Sequence, residues 1–127
     1  MAKYVDGFVL GVPKDKVEEY RKMAEGGAQS WMKHGALEYY ECKGEDLATQ
    51  DMGGMKALEF TQMTKAKDDE TVWFSFIVFE SRAHRDEVNK KVMEEMQEKY
   101  AEGQNMAMPF DMTRMAYGGF EVIVQGG

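Results

Sequence analysis

Aromatic and branched residues crowd positions 4–12 until Pro13 ends the run, which predicts a first strand. The period then changes. Val17, Tyr20, Ala24, Gly27, Ala28 and Trp31 recur at helical spacing and share one face, while Lys16, Glu18, Glu19, Arg21 and Lys22 point elsewhere. His34-Gly35 supplies the stop. A second strand is expected over 36–43, a loop over 44–57, a short edge strand over 58–64 and a charged turn over 65–70. Residues 71–79 form the strongest strand of the chain. Ser81 is an N-cap for a second helix whose Val88, Val92, Met96 and Tyr100 repeat every turn until Gly103, and a last strand covers 115–124.

The simplified order β-α-β-β-α-β is the split βαβ pattern of ferredoxin-like α+β domains: one antiparallel sheet with two helices on one face. No internal repeat or linker interrupts it, so a single domain over 1–127 is expected. Both faces of the strongest strand are apolar. Val72, Phe74, Phe76 and Val78 lie on one side, and Trp73, Ile77 and Phe79 on the other with only Ser75 polar. A strand with one side in water alternates apolar with polar, so this one predicts burial on both faces. Two helices cover one face. A second copy of the sheet is the expected cover for the other, giving a two-fold homodimer.

Composition narrows the function classes. The 127 residues carry a net charge of −7 with dispersed Lys and Arg, without the basic stripe that nucleic-acid binding requires, so no nucleic-acid partner is expected. Cys42 stands alone and cannot close an intramolecular disulfide, which suits a reducing compartment. Residues 1–12 carry Asp6 and no small-residue cleavage pattern, so a signal peptide is not expected. The longest apolar run, 72–79, is far below the ~20 residues of a membrane span. A cytoplasmic protein without a membrane partner is the expectation.

Candidate chemistry is sparse. Asp6 shares a strand face with Tyr4, Phe8 and Leu10, where a carboxylate must be paired or hydrogen-bonded. It is either a structural ion pair, with Arg114 as the expected partner, or a general base or positioning carboxylate in a sheet–helix cavity. Glu38, Tyr40 and Cys42 occupy one face of the second strand, and Tyr39 with Glu41 the other, one of these faces being the solvent side. Glu38, Tyr40 and Arg114 join Asp6 as candidate ligand-binding groups. So does His84, flanked by Arg82 and Arg85 in the first turn of the second helix, where an anion is favoured. His34, in the last turn of the first helix, complements the helix dipole. No metal is expected, since the His-x-x-x-His, His-Glu-x-x-His and Cys-x-x-Cys spacings are missing. No cofactor is expected either: neither glycine-rich phosphate loop occurs.

The strings Tyr4-Val5-Asp6-Gly7-Phe8-Val9, His34-Gly35-Ala36-Leu37-Glu38-Tyr39, Ser81-Arg82-Ala83-His84-Arg85-Asp86, Met108-Pro109-Phe110-Asp111 and Tyr117-Gly118-Gly119-Phe120 resemble the YbaA-like family of small bacterial proteins, a domain of unknown function. Residues 46–55 and 94–107 depart from that pattern. The resemblance implies a dimeric ferredoxin-like α+β barrel. The wider superfamily holds antibiotic-biosynthesis monooxygenases and haem-degrading enzymes that bind substrate between sheet and helices. Haem-degrading members place a Trp near the end of the third strand and a His on the next helix; Phe79 and Asn89 stand here, which argues against that activity. Two classes remain. One is binding of a small apolar or aromatic ligand, or a cofactor-independent monooxygenase-like activity, in a cavity between sheet and helices. The other is a non-catalytic dimeric module acting through protein contacts. Seven methionines (52, 55, 63, 106, 108, 112 and 115) gather in the loop, the edge strand and the approach to the last strand, where thioethers would form an adaptable rim.

Overall fold

Strand β1 (Tyr4–Pro13) ends where Pro13 removes a ladder donor, and helix α1 (Val17–Lys33) follows after one tight turn. The computed structural model describes residues 2–101 and 108–126. The remaining elements are β2 (Glu38–Lys43), the short strands β3 (Asp51–Met52) and β4 (Met55–Lys56), the single turn α2 (Phe60–Met63), β5 (Glu70–Phe79), α3 (Arg82–Ala101) and β6 (Ala116–Glu121). The fold is α+β. Its main sheet has the order β2-β5-β1-β6 and is antiparallel throughout. Each long helical connection therefore steps over one strand: α1 carries the chain from β1 past β5 to β2, and α3 from β5 past β1 to β6. Among the described residues the sheet stays open at both edges, so the single chain closes no barrel.

The helix ends have local causes. Gly35, at φ +115°, donates to the Met32 carbonyl and turns the chain out of α1, a conformation that only glycine adopts without strain. Ser81 accepts from the His84 amide and opens α3, as the sequence predicts. The expected stop at Gly103 lies outside the described residues.

Three expectations need correction. Residues 58–64 are not an edge strand. Their alternation is that of one helical turn, closed reciprocally by Glu59 and Gln62 in a capping box and ended by Lys65 at φ 53°. Within the expected loop, β3 and β4 form a hairpin around Gly53 and Gly54, both at positive φ, the requirement of a tight two-residue turn. The last strand is also shorter than expected. Its pairing with β1 ends at Tyr4↔Glu121, where β1 itself begins, so Ile123 and Val124 project unpaired into solvent.

Register fixes which side chains meet the helices. The pairs Asp6↔Ile77, Phe8↔Ser75 and Leu10↔Trp73 place these residues under α1 and α3, together with Tyr39 and Glu41 of β2. Two core clusters result. Leu10, Val12, Tyr20, Ala24 and Trp73 form one; Ala36, Ile77, Phe79, Val88 and Val92 form the other. Trp73 is therefore core. The opposite face carries Val5, Val9, Tyr40, Phe74, Phe76 and Phe120; neither long helix covers it, and Leu47 and Phe60 approach it only at its Val72 end. Tyr40, Phe74 and Phe120 are 49, 43 and 62% exposed there.

Candidate functional site

Among the described residues the two core clusters do not meet. Between them lies a cavity of about 330 Å³, bounded by Leu10, Tyr20 and Ala24 from one cluster and Ile77 and Val92 from the other. That is the lower end of the range for small-molecule pockets. Met23, Met96, Met108 and Met115 line it too, so two of the seven clustered methionines do form its wall. Met52, Met55, Met63 and Met112 instead lie exposed, and Met106 is outside the described residues.

One carboxylate sits in this apolar space. Glu41, on β2 opposite Ser75, accepts a hydrogen bond from the Tyr20 hydroxyl at Oε1 and from the Tyr39 hydroxyl at Oε2, both at 2.7 Å. Tyr20 comes from the sheet-facing side of α1 and rests edge-on against Trp73. Tyr39 reaches beneath α1 at Gly27, where an added Cβ would lie 3.3 Å from its hydroxyl. A side chain at position 27 would crowd that hydroxyl, so the helix accepts a glycine at a cost of roughly 0.5–1 kcal/mol relative to alanine. Burial foremost, and then the Glu41 charge, push both phenols far above the ordinary tyrosine range. Both hydroxyls stay protonated and donate.

The residues expected from sequence are dispersed. Asp6 is buried under α3, beside the cavity wall but outside it. Its Oδ1 accepts from Arg85 at 2.9 Å and its Oδ2 from Asn89 at 3.2 Å, and Asn89 Oδ1 in turn accepts from Trp31 Nε1. Arg114 is not its partner. Arg114 grips Glu70 through two hydrogen bonds of 2.7 and 2.6 Å next to Gly11, on the side of the sheet away from the helices. The sheet separates the two groups. Glu38 and Tyr40 also project from that open side and do not reach the cavity. His84 Nδ1 accepts from the Glu80 amide, and its ring packs edge-on against Phe79, so it fastens the start of α3. The expected basic cluster is split, because Arg82 pairs with Asp86 while Arg85 turns inward to Asp6. His34 bonds Glu95 at 2.6 Å, and Ser30 donates to the same Glu95 oxygen.

Glu41 is the residue that sequence reasoning passed over. Period-two alternation separates it from Glu38 but leaves open which face of β2 meets the helices. The one signal was Ser75, a lone small polar residue on the apolar face of β5, directly across from it. Among the described residues no group of three or more His, Cys, Asp or Glu side chains is placed to hold a metal ion.

The Glu70–Arg114 pair makes a pH prediction. The hydrogen bonds from Arg114 pull the Glu70 carboxyl down to about 2. Its folded value lies below the unfolded value of about 4.3, so the stability it contributes is present above that pH and is lost as pH falls towards 2. Arg114→Gln is expected to flatten the fall in melting temperature between pH 5 and pH 2.5; an unchanged slope would contradict the assignment.

The sequence profile of a family described as a protein of unknown function, DUF1428, matches residues 3–112, and so spans both long helices and the cavity wall apart from Met115. The chain belongs to the DUF1428 family. A relative, the uncharacterized protein YbaA of Escherichia coli strain K12, is 42% identical over 123 residues, covering 96% of this chain and 97% of that protein. YbaA of Shigella flexneri matches to the same extent. A solved structure of a Bacillus cereus protein related to NIF3 is 15% identical with a TM-score of 0.35, covering 99% of this chain and 28% of that one, a likeness too slight to carry an inference. Tyr20, Tyr39 and Glu41 all fall within the matched part of this DUF1428 chain. No helix among the described residues is long and apolar enough to cross a membrane.

Proposed function

We propose that the protein binds a small, largely apolar molecule in the cavity between the sheet, α1 and α3. The observation that supports this most is the gap itself. Native cores close to a density that leaves few voids larger than a water molecule, yet two clusters here stay apart around about 330 Å³ with a hydrogen-bonded carboxylate inside. The reading is one of binding, ahead of monooxygenase-like turnover, because the geometry offers hydrogen bonds and a charge and singles out no reacting atom. Ala24, buried in the cavity wall, gives the test. A neutral aromatic probe, 2-phenylethanol, is expected to raise the melting temperature of the wild type by a few degrees at saturating concentration, and Ala24→Leu to abolish the shift by filling the space. Equal shifts in both proteins would place the binding elsewhere.

We also propose that two copies pair through their open sheet faces, forming the dimeric ferredoxin-like α+β barrel that the resemblance implies. The strand order with its two stepped-over connections and the uncovered Tyr40, Phe74, Phe76 and Phe120 support this reading. An exposed, free Cys42 fits a reducing compartment, and on that ground we place the protein in the cytoplasm.

A further inference from the structure

The hydrogen-bond inventory of the cavity narrows its ligand. A phenol hydroxyl has one proton to give, and Tyr20 and Tyr39 both give theirs to Glu41, one to each carboxylate oxygen. What these three groups still offer an incoming molecule is lone pairs: those left on Glu41 and those on the two phenol oxygens. The trio is acceptor-only and carries a negative charge. Of the other polar side chains on the cavity wall, Ser30 donates its proton away to Glu95, and Ser75 is a single neutral hydroxyl that can turn either way. Lys99, half-exposed at the rim, has its Nζ 3.9 Å from Oε1 of Glu95, the carboxylate that Lys33 and His34 also contact, whereas the charged group within the apolar space is Glu41.

A carboxylate or phosphate entering this space would meet lone pairs and a like charge. An ammonium group brings three donors and the opposite charge. Phe8, Tyr20, Trp31 and Phe110 add aromatic surface, which attracts a cation over the ring faces and packs against an apolar body. We propose that the cavity selects a small hydrophobic amine in its protonated form, with Glu41 as its counter-ion. This rests on the binding reading above and goes further, since that reading requires only an apolar ligand.

Isothermal titration with three molecules of similar shape tests it: 2-phenylethylamine, 2-phenylethanol and phenylacetate, each against wild type and Glu41→Gln. The amine is expected to bind wild type at least about tenfold more tightly than the alcohol, the difference a charged hydrogen bond makes. Phenylacetate is expected not to bind. Glu41→Gln should erase the amine's advantage over the alcohol. If the alcohol or phenylacetate binds wild type as tightly as the amine does, selection by charge is overturned and the cavity reading stands. If the amine keeps its advantage in Glu41→Gln, Glu41 is not the counter-ion. If none of the three binds, both readings fall. The comparison on wild type decides the matter even where Glu41→Gln does not fold.

Discussion

Arg85→Met is expected to lower the stability of the fold by about 3–5 kcal/mol, the range for stranding one member of a buried ion pair. Asp6 is 5% exposed, and Arg85 is its one charged partner among the described residues. Without the guanidinium, the carboxylate keeps only the neutral Asn89 amide and sits beneath α3 uncompensated. Methionine preserves much of the stem's apolar packing, so the loss reports charge more than volume. Arg85 also lies over the Tyr4 ring at 4.8 Å, a smaller contact that the substitution removes as well. Asp6→Asn alone should cost less, because Arg85 retains Asp86. The double variant should recover part of the Arg85→Met loss, giving a coupling energy of at least about 1 kcal/mol in urea unfolding. Single and double variants that add independently would mean that the pair does not hold β1 to α3.

This ion pair also shows how far the chain could be read from its pattern. That Asp6 needs a partner follows from its neighbours on β1, and so do β1, α1, β5 and α3 themselves, because each carries several turns or repeats of one period. The partner's identity does not follow. Arg114 and Arg85 are both near in a sheet diagram, and only the side of the sheet separates them. A hint existed in α3, where Arg85, Val88, Asn89 and Val92 share the face that packs on the sheet. Strand β2 was harder, since Glu38, Tyr40 and Cys42 on one face and Tyr39 and Glu41 on the other are equally mixed. Register against β5 decides between them, and register is a tertiary fact. Residues 58–64 failed for a different reason: over so few residues a helical turn and a short strand share the same apolar spacing, and the Glu59–Gln62 capping box settles it.

Phe74→Glu is expected to turn a dimer into a monomer while leaving the fold intact. Phe74 is 43% exposed on the open side of β5 and is in ring contact with Phe76, which in turn meets Tyr40 at 5.1 Å. On β6, Phe120 lies across the bare backbone of Gly7, 3.5 Å from where its Cβ would be. Together these rings run an apolar band over all four strands, with Glu38 on β2 and the Arg114–Glu70 pair as charged groups on the same side. A sheet face meant for water alternates with polar residues, and this one does not. A second copy related by a two-fold axis, as proposed above, would present the same band and cover it symmetrically. A glutamate at position 74 costs the isolated chain little, because solvent reaches it. In the dimer each copy would bury an unpaired carboxylate, several kcal/mol per interface, weakening association at least a hundredfold. Sedimentation equilibrium at micromolar concentration checks this. Wild type should run as a dimer, Phe74→Glu as a monomer with an unchanged circular dichroism spectrum, and Met32→Glu, on the outer side of α1, as a dimer. A wild type that sediments as a monomer would remove the second copy from the account and leave the band without an occupant.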